Sequence, residues 1–166
     1  MAMTDQGYAG EWLCLQYLHH KGMKSFQVDW VTYDPVTGEW YNYEVKHKCP
    51  FRTTERGLEY IGHGVANYQV EARMNHYKST GIRYRLFYID FTSHRHVRGT
   101  IWNVDVYSAW LNELEETHSY IDIRSRSGQF FHMYDRNAFV KETMWYDDSK
   151  YDGRIGIRDE RSCDEN

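Results

Sequence analysis

Proline, cysteine and long apolar runs are scarce in this chain, which has 166 residues, two prolines and three cysteines. No run of about 18 consecutive apolar residues occurs, so we expect no membrane-spanning helix. Cys14, Cys49 and Cys163 form no CxxC pair, and their odd number and wide spacing support neither a disulfide framework nor a zinc ribbon. The expected setting is therefore reduced and cytoplasmic.

The chain also has no excess of positive charge, because it contains 20 Lys and Arg but 24 Asp and Glu, for a net charge of −4. Domains that bind nucleic acid are usually basic, so this total argues against such a partner. The charge is unevenly placed, however. Residues 45–98 hold ten basic and four acidic residues, and residues 141–166 hold five basic and eight acidic ones.

Apolar and aromatic residues are plentiful, at 41% and 17% of the chain. This composition is typical of a folded domain and excludes disorder for most of the chain. We expect residues 1–140 to form one domain and residues 141–166 to form an acidic C-terminal tail that is partly flexible.

Hydrophobic periodicity and turn residues predict a mixed α/β order of elements. Residues 49–64, with three glycines and a proline, are expected to form a long loop. Helices are predicted over residues 5–21, 65–79 and 105–116. Strands are predicted over residues 27–33, 40–47, 82–91, 97–102, 119–124 and 129–134.

The first predicted hairpin places charged side chains together. If its turn is symmetric about Val36 and Thr37, Asp29 faces Glu44, and Lys46 lies two residues further on the same face. Two opposed carboxylates repel each other unless a lysine or a metal ion relieves the charge. Two interpretations follow: a solvated face balanced by Lys46, or a site for a hard cation such as Mg²⁺.

Glu11 is a third carboxylate of interest. The first helix has an apolar stripe of Tyr8, Trp12, Leu15 and Leu18, and Glu11 lies within the arc that these residues span. A carboxylate aimed at a core is costly unless it is paired or binds a metal. Glu11 is thus either an edge residue that reaches solvent or a lysine, or an acid that points at the hairpin site.

Together these residues resemble the PD-(D/E)xK nucleases: Glu11 on a first helix, Asp29 on a strand, and Glu44-Val45-Lys46 on the next strand. The segment Gly7-Tyr8-Ala9-Gly10-Glu11 is similar to the start of archaeal Holliday-junction resolvases in that superfamily. The resemblance covers residues 5–91 and implies a restriction-endonuclease-like mixed β-sheet core flanked by helices. The sequence departs from the family where Val28 replaces proline and where few residues precede Asp29 for a first strand.

The resemblance also implies roles for the site residues. Asp29, Glu44 and the backbone carbonyl of Val45 would bind Mg²⁺, for which Mn²⁺ would substitute, and Lys46 would orient or activate the attacking water. Glu11 would hold a second metal or a metal-bound water. Gln69, on the second predicted helix, matches a glutamine of some branches, and it is equally explained as an ordinary hydrogen-bonded helix residue.

The function so implied is that of a metal-dependent DNA nuclease, more an endonuclease than an exonuclease, acting on duplex or branched DNA. Family relatives often dimerise, which leaves a homodimer open. Two alternatives remain: a catalytically silent nucleic-acid-binding relative, and an aromatic-rich module that binds carbohydrate or protein. Five side chains within the basic segment 45–98 are expected to bind DNA: Lys48, Arg52, Arg56, His63 and Arg73.

Overall fold

The computed structural model describes residues 5–26, 31–55 and 57–151 and has a mixed α/β architecture. Its helices are α1 (Asp5–His20), α2 (Asn67–Thr80) and α3 (Leu111–Glu116). Its strands are β1 (Lys24–Phe26), β2 (Val31–Tyr33), β3 (Trp40–Lys48), β4 (Phe51–Glu55), β5 (Leu58–Ala66), β6 (Tyr84–Asp90), β7 (Arg95–Arg98), β8 (Ile101–Trp110), β9 (Tyr120–Arg124), β10 (Phe130–Asp135) and β11 (Val140–Asp147).

Two sheets make up the fold. The larger sheet has the strand order β1-β2-β3-β6-β8-β11, with β7 also paired to β8. Its strands pair antiparallel except β3 and β6, which are parallel and are connected through α2. The smaller sheet has the order β4-β5-β10-β9 and is antiparallel throughout. A parallel pair needs a long crossover connection, and β4, β5 and α2 supply it.

The hairpin of β2 and β3 has the register that the sequence predicts. Tyr33 pairs with Trp40 and Val31 pairs with Asn42, so the turn is symmetric about Val36 and Thr37. The side chain of Asp34 accepts a hydrogen bond from the backbone N–H of Val36, as its turn chemistry implies. Asp29 lies outside the described residues, so its predicted pairing with Glu44 stays a prediction.

Helix α1 covers one face of the larger sheet. Ala9, Leu13 and Leu18 are fully buried there, among side chains of β3, β6 and β8. The helix approaches β3 so closely that a Cβ on Gly10 would lie 2.6 Å from the Cβ of His47, a space that only glycine leaves free. The apolar stripe predicted for this helix included Tyr8, and that prediction is wrong because Tyr8 is half exposed. The buried side of the helix carries Ala9 and Leu13 instead.

The smaller sheet, α2 and α3 pack on the other face of the larger sheet. Val70 of α2 and Tyr134 of β10 meet Leu86 and Tyr88 of β6 in a second apolar cluster. Helix α2 ends at Gly81, whose φ of +74° is the left-handed conformation that favours glycine. The predicted helix stop is thereby confirmed.

The predicted loop over residues 49–64 is wrong, because most of this segment forms the antiparallel hairpin of β4 and β5. Its glycines let neighbouring groups pack closely against the strand and do not make the segment a flexible loop. A Cβ on Gly62 would lie 2.4 Å from the carbonyl oxygen of Tyr134, and one on Gly64 would lie 2.3 Å from the ring of Phe51. Glycine inside a strand often marks such an approach.

Two predictions for the C-terminal half are also wrong. Residues 105–110 belong to β8, and the helix begins only at Leu111, because all residues from Val104 to Ala109 are buried and the run has no usable periodicity. The predicted tail begins inside β11, whose residues pair along β8 from Val140 to Asp147. Residues 141–147 are therefore part of the sheet.

The two described cysteines differ in state. Cys14 is free and buried, and Cys49 is disulfide-bonded, so the expectation of reduced thiols holds for Cys14 only. Within the described ranges, no helix is long and apolar enough to cross a bilayer.

Candidate active site

Strand β3 presents Glu44 and Lys46 on the face that α2 covers. The two residues are two positions apart, so their side chains leave the strand on the same side. In the parallel pair with β6, Glu44 lies beside Leu86 and Lys46 beside Tyr88, two residues of the cluster under α2. The alternation that the sequence predicts for Glu44 and Lys46 is thus confirmed.

Four side chains form a connected group, here called the Glu44 cluster: Glu44, Lys46, Gln69 and Arg73. Lys46 Nζ donates to Glu44 Oε1 at 2.6 Å and to Gln69 Oε1 at 2.9 Å. Arg73 Nε donates to Glu44 Oε2 at 2.8 Å. Each carboxylate oxygen therefore accepts a hydrogen bond from a cation.

Helix α2 supplies the other half of the cluster. Gln69 and Arg73 are four residues apart, which places them on the same helix face, and the buried Val70 beside them anchors that face against the sheet. The Arg73 guanidinium lies over the Tyr84 ring, 5.5 Å from its centroid. The helix thus presents an amide and a guanidinium to the carboxylate of β3.

Burial and charge act in opposite directions on Glu44, whose side chain is 9% exposed. Burial alone would raise the pKa of Glu44, but Lys46 and Arg73 more than compensate and hold that pKa below its ordinary value. Glu44 is consequently ionised at neutral pH. Desolvation and the charge of Lys46 lower the pKa of the nearby Lys48.

The Glu44 cluster combines one anion with two cations and a neutral amide. Such a group suits an anionic oxygen, because the excess positive charge lies close to a partly buried surface. The Glu44 carboxylate and backbone carbonyls are also the hard oxygen ligands that Mg²⁺ prefers. In the described part of the chain, no group of three or more His, Cys, Asp and Glu side chains could hold a metal ion. Asp29, the predicted second carboxylate, lies outside that part.

Glu11 is placed on α1 and is partly buried. This helix covers the face of the sheet that carries Tyr43 and His47, opposite to the face of Glu44. The negative charge of Glu11, together with the larger effect of burial, raises the pKa of Cys14. The predicted metal role of Glu11 stays a prediction.

The side chains predicted to bind nucleic acid have different surroundings. Arg52 is exposed and forms an ion pair with Glu59 at 3.0 Å. Lys48 is exposed, with its Nζ 6.0 Å from the centroid of the Phe131 ring. Arg73 bonds to Glu44, and Arg56 lies outside the described residues.

The prediction for His63 is wrong. Its side chain is fully buried, with its ring 4.0 Å from that of Tyr88, 4.7 Å from that of Tyr107 and 4.8 Å from that of Phe139. Burial, assisted by the charge of Arg136, lowers the pKa of His63 to about 3. A side chain enclosed in this way offers no surface to a nucleic acid.

The direct bond between Arg73 and Glu44 is the feature that the sequence reasoning missed. The sequence contained a signal for this contact, because Arg73 follows Gln69 by one helical turn and so shares its face.

No family model, no curated protein and no solved structure matches this chain.

Proposed function

We propose that this chain is a divalent-metal-dependent nuclease that hydrolyses DNA phosphodiester bonds, with an endonucleolytic mode and a restriction-endonuclease-like core. The observation that carries the proposal is the position of Lys46 Nζ, which bonds to both Glu44 and Gln69. An ammonium has three N–H donors, and those two bonds engage two of them. Within the described residues the third donor has no partner, so it is available to a water or a phosphate oxygen.

The chain's own groups would then act as follows. Glu44, the Val45 carbonyl and Asp29 would hold Mg²⁺ or Mn²⁺. Glu11 lies on α1, which covers the opposite face of the sheet, and is not assigned to this site. The bound ion would supply a nucleophilic water near neutral pH and neutralise charge on the phosphate. Lys46 would orient that water and stabilise the charge that builds on the phosphate. Gln69 would fix the Lys46 ammonium in place.

Strand topology supports the core assignment. The structure begins with a helix and a three-strand meander, although β1 and β2 have only three residues each. The strand that carries Glu44 and Lys46 then pairs parallel with β6, after the crossover through α2. A short first strand agrees with the small number of residues between Gly22 and Asp29.

The charge around the cluster favours a nucleic acid as substrate. Lys48 and Arg52 follow Lys46 along the chain and are exposed. Basic side chains next to a hydrolytic site neutralise phosphates and so position the backbone of the substrate. The excess of six positive charges over residues 45–98 is consistent with this surface.

Cleavage of a defined panel of substrates tests the proposal. Labelled linear, nicked, flap and four-way DNA would be incubated with the purified chain in Mg²⁺, in Mn²⁺ and in EDTA. We expect internal cuts in at least one substrate with either metal and no cuts in EDTA, because hydrolysis needs the metal-activated water.

The two alternatives predict different results. DNA binding without cleavage under any divalent metal would support the catalytically silent relative. Failure to bind either DNA or metal would contradict the proposal as a whole and would favour a carbohydrate- or protein-binding module.

A further inference from the structure

We propose that β11 pairs edge to edge with β11 of a second copy of this chain, so that the larger sheets of two molecules join across a two-fold axis. The inference goes beyond the proposed function and does not depend on it. Strand β11 is separated from β3, which carries Glu44 and Lys46, by β6 and β8 in the strand order.

Strand β11 forms one edge of the larger sheet, and among the described residues its strand partner is β8 alone. The strand has eight residues, contains no proline and pairs with β8 in an unbroken register from Val140 to Asp147. Edge strands that avoid association are often short, bulged or interrupted by proline. A long and regular edge instead presents a row of backbone N–H and C=O groups to another strand.

Apolar side chains are exposed along this edge. Val140 and Trp145 are each 59% exposed. A groove of about 390 Å³ lies between β11 and the C-terminal end of α1, and Tyr17, Met144 and Trp145 contribute to its lining. A strand added beside β11 would remove part of this apolar surface from water, which favours association.

Symmetry limits the registers in which two β11 strands can pair. A two-fold axis perpendicular to the sheet makes the two strands antiparallel and repeats every contact, so that residue i faces residue j and j faces i. The same axis keeps corresponding faces of the two sheets on one side. Because side chains alternate between the faces, the numbers of two opposed residues must then have an even sum.

Charge selects one of these registers. Charged side chains can block edge pairing, but those of β11 complement one another when Met144 lies on the axis. Lys141 then faces Asp147 of the second copy, and the axis repeats this pair. Opposite charges that face each other across two strands stabilise the pairing. The remaining opposed pairs contain no like charges: Val140 with Asp148, Glu142 with Tyr146, and Thr143 with Trp145.

The neighbouring registers lack this match. Registers centred on Lys141 or on Glu142 place two like charges opposite each other on the axis, which is unfavourable. A register centred on Trp145 brings Glu142 opposite Asp148, and one centred on Thr143 opposes no charges of opposite sign. The register centred on Met144 is therefore the one that uses the whole strand and pairs its charges.

The two charged groups can form the new pair. The Lys141 side chain is 56% exposed, and its ion pair with Asp105 is long at 3.6 Å. Asp105 keeps a closer ion pair with Arg95, at 2.8 Å, if Lys141 turns away. Hydrogen bonds, first that of the Ser149 hydroxyl, hold the pKa of Asp147 below its ordinary value. Asp147 is therefore ionised at neutral pH.

Molecular mass in solution tests the proposal, measured by sedimentation equilibrium at up to about 1 mM protein, which detects dissociation constants of that size. We expect the unmodified chain to show twice the monomer mass. Lys141→Glu and Asp147→Lys should each weaken dimerisation roughly 10- to 100-fold, because each replaces two attractive pairs with two like-charge pairs. Lys78→Glu is the matched control, since it reverses an exposed charge on α2 and should leave dimerisation unchanged.

An equal mixture of Lys141→Glu and Asp147→Lys is the decisive arm. Each chain carries the charge that the other has lost, so both opposed pairs become attractive again and the mixture should dimerise like the unmodified protein. Recovery would also show that both variants fold. If circular dichroism shows that a reversal does not fold, Lys141→Gln or Asp147→Asn replaces it and should weaken dimerisation by a smaller factor.

Four results would overturn the proposal: a monomeric unmodified chain, unmodified affinity in either single variant, an equal loss in Lys78→Glu, or a mixture of folded variants that stays monomeric. None of these results would bear on cleavage of DNA, which the substrate panel measures separately.

Discussion

If the proposed nuclease function is correct, we expect replacement of Lys46 with methionine to lower the rate of DNA cleavage roughly 100- to 10,000-fold at saturating Mg²⁺, the range expected when a positioned charge or proton donor is lost. Methionine keeps the length of the stem but removes the ammonium that bonds to Glu44 and Gln69. Single-turnover cleavage of the best substrate of the panel measures the effect.

Folding has to be separated from catalysis in this variant, because Glu44 is buried and loses one of its two cations. Arg73 still compensates the carboxylate, so we expect a reduced melting temperature with an unchanged circular dichroism spectrum. Lys150→Met removes an exposed lysine and is the matched control. Cleavage by folded Lys46→Met at the rate of that control would contradict the role of Lys46.

Acid should destabilise the fold between pH 6.5 and pH 3, in part through His63 and His94. Burial lowers the pKa of each imidazole to about 3, with smaller contributions from the charge of Arg136 at His63 and of His47 and Arg95 at His94. In this window the unfolded chain binds protons that the folded chain rejects. The free energy of unfolding therefore falls with decreasing pH, by up to about 1.4 kcal/mol per pH unit for each imidazole.

His63→Leu tests this account, because neither ring nitrogen of His63 has a hydrogen-bond partner among the described residues. Urea unfolding at pH 7, 6, 5 and 4 should show a shallower pH dependence for His63→Leu than for the unmodified protein. His20→Leu, which removes an exposed imidazole, should keep the original slope. Parallel stability curves for His63→Leu and the unmodified protein would refute the assignment.

The parts of the fold predicted correctly are those that local chemistry determines. The turn after Tyr33 determines the register of β2 and β3, and the period of two along β3 places Glu44 and Lys46 on one face. The left-handed glycine at Gly81 marks the end of α2. In each case one short segment contains both the signal and the structure that it predicts.

The errors occur where tertiary packing decides the structure. Strand β8 is buried on both faces, and an apolar run of this kind has no period that separates a strand from a helix. Gly62 and Gly64 suggest a loop, but their lack of a side chain instead admits the Tyr134 carbonyl and the Phe51 ring. The sequence does not indicate such distant neighbours.

Predictions for the candidate site succeeded and failed for the same reasons. Strand alternation predicts that Glu44 and Lys46 share a face, and the family resemblance is what singled out Gln69. Assigning His63 to a DNA surface required knowledge of which element covers it, and the structure encloses its ring between aromatic rings. The bond between Arg73 and Glu44 likewise depends on how α2 packs on β3, and the predicted DNA contact of Arg73 stays a prediction.

The dependence of cleavage on Mg²⁺ concentration, measured for the unmodified protein and for Glu44→Gln, tests the central claim most directly. The account predicts a saturable Mg²⁺ dependence for the unmodified protein and the loss of nearly all cleavage in folded Glu44→Gln, because the amide removes the ionised ligand. Cleavage by Glu44→Gln at the unmodified rate and with the same Mg²⁺ dependence would show that the Glu44 cluster is not the active site.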